Sequence, residues 1–236
     1  MPTRTTDLPG AARITPDVIQ ITYRRFFNCY LVKEHDGLTL VDTCPAGAVR
    51  AVRAVIRALG APLRRVLLTH AHADHVAGLD GLVACAPGDL QVHIGAREAP
   101  LLAGDMSLRP GEPEPAPKGK FLTPRSPVTH LLADGEVVGS LRAIATPGHT
   151  PGHMSFLDQR DRTLIAGDAV TTIGRVAVSG DFVWRWPFPA RATWNKQAAI
   201  ESAKRMRDER PEILASGHGP PLLRAAAALE DALARL

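Results

Sequence analysis

Apolar residues along the chain fall into two kinds of run, and the difference between them predicts the elements. Val18 to Thr22, Phe26 to Lys33 and Leu38 to Asp42 are short apolar stretches separated by polar turns, one of them Asp36-Gly37, and read as strands. Ala46 to Leu59 places apolar residues at helical spacing with arginines on the other face, and Gly60 closes it. A strand over Arg65 to Thr69, a helix over Val76 to Ala84 and a strand over Gln91 to Ile94 follow. Six prolines then fall between Pro110 and Pro127. Proline fixes φ and donates no amide, so this stretch is a loop, either a pocket wall or a plain surface excursion. Strand patterns resume over Val128 to Leu132, Glu136 to Ala145, Met154 to Asp158 and Thr163 to Ala166. Thr193 to Arg207 reads as a helix, Ile213 to Ala215 as a strand and Leu222 to Leu236 as an amphipathic helix. Strands then helix, twice over, predicts two similar α/β layers packed face to face, without a sequence repeat to prove duplication.

Composition narrows the class. With 236 residues, 45% of them hydrophobic, the chain can build its own core without disulfide staples. The expectation is one domain over residues 1–236, with the Pro-rich loop at about 104–127. Cys29, Cys44 and Cys85 are odd in number and lack C-x-x-C spacing, so each is expected to be a small buried hydrophobe. The N-terminal residues lack a basic-then-apolar pattern and no apolar run nears the ~20 residues of a membrane span, so a cytoplasmic protein is the default expectation. The net charge of +4 is too mild and too scattered to call for a nucleic acid.

Histidine changes the picture. Nine are present, and three of them lie in His70-Ala-His72-Ala-Asp74-His75. A strand ending just before this segment puts His70 and His72 on one side, because alternation has period two, while Asp74 and His75 reach a second point along the turn. Imidazole and carboxylate together suit divalent cations. His149 in Thr146-Pro-Gly-His149, Asp168 after the strand-like Leu164-Ile-Ala-Gly, and His218 in Ala215-Ser-Gly-His218 each sit where a strand opens into a loop, and strand mouths on one sheet edge can converge. His35, His93 and His130 read as ordinary.

These motifs, in this order, resemble the metallo-β-lactamase-fold hydrolase superfamily, in its glyoxalase-II-like and lactonase-like branches. The similarity runs from Leu40-Val41-Asp42-Thr43 through His70 to His75, Thr146 to His153 and Gly167-Asp168 to Gly217-His218. It implies a four-layer αββα sandwich with a two-metal centre at one edge. His70, His72 and His149 would hold the first cation, Asp74, His75 and His218 the second, and Asp168 would bridge them. Asp42 would support the metal loop from behind the ligands. His153 belongs to the same signature, but seven positions are already filled, so it is expected to support rather than ligate.

A cation pair sharing a carboxylate would lower the pKa of a bound water, giving hydroxide for attack on a small ester, thioester or lactone, with Asp74 steering its proton. Zinc is the first expectation for the metal, with iron or manganese as alternatives. The partner expected is a small molecule, with no nucleic acid and no membrane, and a homodimer is plausible. Phe182, Trp184 and Trp186, directly after Asp168, could line an apolar substrate pocket or pack two chains together. Arg185 and Arg191 in that stretch suit a substrate carboxylate and a solvated role equally. A mononuclear-iron persulfide oxygenase uses a subset of these ligands and is the alternative function. A nuclease of this fold would want a basic insertion that the chain lacks.

Overall fold

Strands covered on both faces carry apolar residues at every position, so the period-two alternation disappears. The computed structural model, which describes residues 10–236 other than 87 and 89, shows why this chain has such runs. A seven-stranded sheet takes its strands in chain order: β1 (Ala11–Arg13), β2 (Val18–Tyr23), β3 (Phe27–Glu34), β4 (Gly37–Val41), β5 (Leu63–Leu68), β6 (Gln91–Gly95) and β7 (His130–Leu132). The first four are antiparallel and the last four are mutually parallel. Crossing between the parallel strands are α1 (Val49–Leu59), α2 (Ala73–Val76), α3 (Leu79–Val83) and α4 (Glu98–Leu102).

The second sheet is built from β8 (Val137–Val138), β9 (Leu141–Ala145), β10 (Met154–Asp158) and β11 (Thr163–Gly167). A small hairpin, β12 (Val170–Thr171) and β13 (Ala177–Val178), leads to α5 (Phe188–Ala192) and α6 (Lys196–Asp208). β14 (Ile213–Ser216) then pairs parallel to β11, β15 (Leu222–Leu223) adds an edge, and α7 (Ala225–Leu233) packs on α6.

Three apolar clusters define four layers. Leu31, Leu40, Val66 and Leu68 face α1, with Val52 and Val55 behind them. Tyr30, Val41 and Leu67 of the first sheet meet Ala143, Phe156 and Ile165 of the second. Leu157, Leu164 and Leu214 face Ala203, Met206 and Leu229 of the last two long helices. The result is the expected αββα sandwich. Among the described residues, no helix is long and apolar enough to cross a membrane.

Several boundaries move for local reasons. β4 ends at Val41 because Asp42 turns to φ +58°. The helix expected over Val76 to Ala84 is two short ones, broken where Gly78 passes close to Thr43. Thr193 is extended rather than helical, and Asn195 starts α6 by accepting a hydrogen bond from Ala198 N. Arg224 at φ +60° splits the terminal helix into β15 and α7. Gly139 at φ +62° makes the Glu136 to Ala145 run a tight hairpin. Cys29 and Cys44 are buried as expected, but Cys85 is exposed, since it follows α3 into a surface turn.

Candidate metal centre

The candidate ligand side chains emerge where strands end. β5 runs out at Leu68, and Thr69 to His72 lead directly into α2, which carries Asp74 and His75. β9 precedes His149, β11 precedes Asp168, and β14 precedes His218. The sheets are held in register at this edge by β3. Tyr30 Oη donates to Ser216 O at 2.6 Å, and Asn28 Nδ2 donates to Ser216 O and Gly219 O, which fixes the turn bearing His218.

Two donor groups result: His70, His72 and His149, and beside them Asp74, His75, Asp168 and His218. His72 Nδ1 lies 3.1 Å from His70 Nε2 and 3.0 Å from His149 Nε2. In the second group Asp74 Oδ2 lies 3.5 Å from His218 Nε2 and 3.8 Å from His75 Nε2. Asp168 reaches both groups, its Oδ2 lying 3.1 Å from His218 Nε2 and 3.5 Å from His149 Nε2, and its Oδ1 lying 3.3 Å from His75 Nε2. All seven residues predicted from the sequence therefore meet here.

The hydrogen-bond network assigns each ring its tautomer. His72 Nε2 donates to Lys118 O and His218 Nδ1 donates to Phe26 O, both at 2.7 Å. His75 Nδ1 donates to Asp42 Oδ2 at 2.8 Å. Thr69 Oγ1 gives its proton to Asp42, so it accepts from His70 Nδ1 at 3.0 Å. Thr193 Oγ1 donates to Pro189 O, Ser179 Oγ donates to Thr193, and Ser179 thus accepts from His149 Nδ1 at 2.9 Å. Every one of the five imidazoles has its outer nitrogen occupied as a donor and turns its other nitrogen inward. That is what a cation needs from its ligands. The inward His75 Nε2 and Asp168 Oδ1 are buried with no hydrogen-bond partner, and an orphaned buried pair of this kind calls for an ion or water. The residues fit a pair of divalent cations.

Titration behaviour separates the two groups. Burial drives His70 and His149 well below the ordinary imidazole range and lowers His72, so these rings are neutral. Burial opposes charge on His75 and His218 too, but Asp168 overrides it and, with Asp42 and Asp74, lifts His75 well above that range. Asp168, with Asp74, raises His218 to about 9. Against burial, His75 and His218 hold Asp74 down at about 2 and Asp168 well below the carboxylate range.

Asp42 and His153 stand behind the ligands. Asp42 also accepts from Thr69 N at 2.8 Å. His153 donates from Nδ1 to Thr146 Oγ1 and accepts Asp168 N–H at Nε2, so it has no lone pair left for a cation. Sequence reasoning missed Glu98, which is fully buried on α4. Its Oε1 accepts from Ala71 N at 2.9 Å, and its Oε2 accepts from Thr150 Oγ1 at 2.8 Å and Gly152 N at 3.0 Å. One carboxylate thus ties the loop of His70 and His72 to the loop of His149. Burial raises its pKa to about 7 against the pull of those donors.

A cavity of about 530 Å³ opens onto the centre, lined by Asp74, His149, Asp168 and His218 below and by Phe27, Lys120, Trp186, Phe188, Pro189 and Arg191 around it. Of the aromatic residues expected to form a pocket, only Trp186 does so. Trp186 N bonds Val183 O in a turn that buries both side chains, which sends the intervening Trp184 outward at 86% exposure; Phe182 is half exposed and also lies outside the cavity. A larger groove of about 1310 Å³ contains Phe26, which stacks on Trp186, but none of the metal-binding residues.

The Pro-rich loop forms one wall of the cavity. Ala73 N donates to Lys120 O, Phe121 bridges to His72, and Trp194 Nε1 donates to Pro115 O.

The family model of the metallo-beta-lactamase superfamily matches residues 23–218, and the chain belongs to that superfamily. It is 50% identical to the YobT protein of Bacillus subtilis (strain 168) over 193 residues, covering 81% of this chain and 82% of that one. It is 33% identical to the probable metallo-hydrolase YflN of the same organism, covering 69% and 67%. A hydroxyacylglutathione hydrolase of Methylobacterium nodulans (strain LMG 21967 / CNCM I-2342 / ORS 2060) is 34% identical over 64% of this chain, which spans 52% of that protein. The crystal structure of TTHA1623 in a di-iron-bound form superposes with a TM-score of 0.64 at 27% identity, covering 88% of this chain and 94% of that one.

Proposed function

We propose that this protein is a dinuclear metal-dependent hydrolase of small esters, thioesters or lactones. The observation that carries the reading is the set of five imidazoles, each donating outward and turning its second nitrogen inward around the carboxylate of Asp168. When bound, the cation pair supplies an acidified water and an electrophile for a carbonyl oxygen. The chain's own residues do the rest. Asp74, ionised and a third exposed to the cavity, accepts a hydrogen bond from the attacking water and holds its orientation. Phe27, Trp186, Phe188 and Pro189 shield the carbonyl from bulk solvent and seat the acyl group.

A cavity of about 530 Å³ suits a small molecule rather than a nucleic acid strand. The hydroxyacylglutathione hydrolase relative supports a thioester or related carbonyl as the bond cleaved. Zinc remains the metal proposed, with iron as its rival on the strength of the di-iron-bound neighbour. The complete second donor group, Asp74, His75, Asp168 and His218, favours two cations over the single iron of a persulfide oxygenase. The test is metal analysis of the purified protein with turnover of a panel of lactones, thioesters, aryl esters and phosphodiesters. Two equivalents of metal and carbonyl-ester turnover that His72→Ala abolishes are expected. Turnover of phosphodiesters alone, or undiminished esterase activity in the variant, would overturn the proposal.

A further inference from the structure

Among the described residues, Lys120 and Arg191 are the only lysine and arginine side chains that line the cavity, and both are exposed. Among the described residues neither has a carboxylate within ion-pairing distance, while Asp74 and Asp168 in the same cavity are turned to His218 at 3.5 and 3.1 Å. The two cationic residues sit on segments anchored to metal-binding residues. Lys118 O accepts from His72 Nε2, Gly119 lies so close to the His72 ring that a Cβ would collide with it, and Lys120 O accepts from Ala73 N at 2.8 Å. Arg191 lies on α5, whose Pro189 O receives the end of the hydrogen-bond chain that starts at His149 Nδ1, and Trp194 N donates to His149 O at 3.0 Å. The distance from the metal-binding atoms to each cationic stem is thereby fixed by backbone, not left to loop wandering.

We infer that Lys120 and Arg191 form an oxyanion-recognition site, so that the substrate is an ester or thioester whose acyl or leaving part ends in a carboxylate or phosphate. The inference rests on the proposed hydrolase reading for the bond cleaved, and on the cavity alone for the anion. Trp186, Phe188 and Pro189 give the same cavity an apolar lining, which takes the methylene chain between the two polar ends. Guanidinium matches carboxylate and phosphate oxygens as a planar fork, while ammonium adds a point charge. A neutral ester would leave both cations in water and gain nothing from them.

The test uses the metal-loaded protein and two matched sets of probes. The first is calorimetric binding of N-phenylglutaramic acid, its neutral methyl ester and an analogue ending in phosphonate, none of which carries an ester at the metal end. The free acid or the phosphonate should bind about tenfold tighter than the methyl ester, less so as salt is raised. Whichever anion binds tighter names the group recognised. Lys120→Gln and Arg191→Gln should each reduce that preference and the double variant should erase it; both side chains are exposed, so the variants fold. The second set is turnover of mono-4-nitrophenyl glutarate against its methyl ester, where the variants should lower the anionic-to-neutral ratio of kcat/KM chiefly through KM. Equal binding of acid and methyl ester, or a preference that survives in the double variant because the anion sits on the metals, overturns the inference. Anion preference without turnover of either ester leaves the oxyanion site standing and sinks the hydrolase reading.

Discussion

Asp42 commits both carboxylate oxygens, to Thr69 N, Thr69 Oγ1 and His75 Nδ1. In Asp42→Asn an amide N–H would face the His75 N–H, and the ring would have to move its proton to the inward nitrogen. Metal affinity should fall by about 10–100-fold with the fold intact, measured by competition with a chromogenic chelator. Glu98 makes a second test. Its folded pKa of about 7 is raised above that of an unfolded glutamate. The native state therefore binds the extra proton between about pH 4.5 and 7, and this group's contribution to stability declines as pH rises through that window. Glu98→Gln should flatten that part of the pH–stability curve and cost about 1–3 kcal/mol at pH 8 by setting an amide donor against Gly152 N–H or Thr150, read by chemical denaturation. The seven candidate ligands were legible because three histidines and an aspartate within six positions, followed by more at strand ends, rarely gather by chance. Glu98 was not, since a single glutamate on a five-residue helix looks solvated until the Ala71 and Gly152 amides are seen to point at it.

Among the elements, those fixed by local patterning were readable. α1 with its Gly60 terminus and the buried strands β3 to β5 follow from spacing alone. Where tertiary contacts cut an element, the pattern misled. Trp194 and Asn195 give their amides to His149 O and Gly148 O, so the helix expected from Thr193 begins only at Lys196. The Pro-rich loop was foreseen as a loop, but its role as a cavity wall depends on carbonyls that face His72 and Ala73, and backbone direction leaves no trace in composition. Gly119 is the point on which that wall turns. It sits at φ +108°, and a Cβ there would collide with the His72 ring. Gly119→Ala should displace the loop, free His72 Nε2 from Lys118 and reduce both metal content and turnover, while far-UV circular dichroism stays unchanged.

Across the whole molecule, two α/β layers were legible from strands and helices alternating in two halves, while the αββα order with its centre at one edge came from the family resemblance. Arg191 was legible as a cation that suits a carboxylate, but its place on the same cavity as Lys120 was not, because only the folded chain brings both segments to that cavity. The metal-free protein holds protons on His75 and His218 where cations would sit. Loading should release them, giving calorimetric heats at pH 7 that differ between buffers of different ionisation enthalpy. With the folded pKa of His218 raised to about 9, the stability it lends the metal-free protein is complete below about pH 6.5 and is lost as pH rises through 9. Metal affinity should strengthen across that same window. The seven metal-binding residues are also divided along the chain. His70, His72, Asp74 and His75 belong to the half that ends with the first sheet, while His149, Asp168 and His218 belong to the half that ends with the second. A nascent chain still short of β9 therefore offers four donors of the seven and no shared carboxylate, and it has little hold on a scarce ion. The seven side chains can therefore form one centre only in copies whose two halves have folded together.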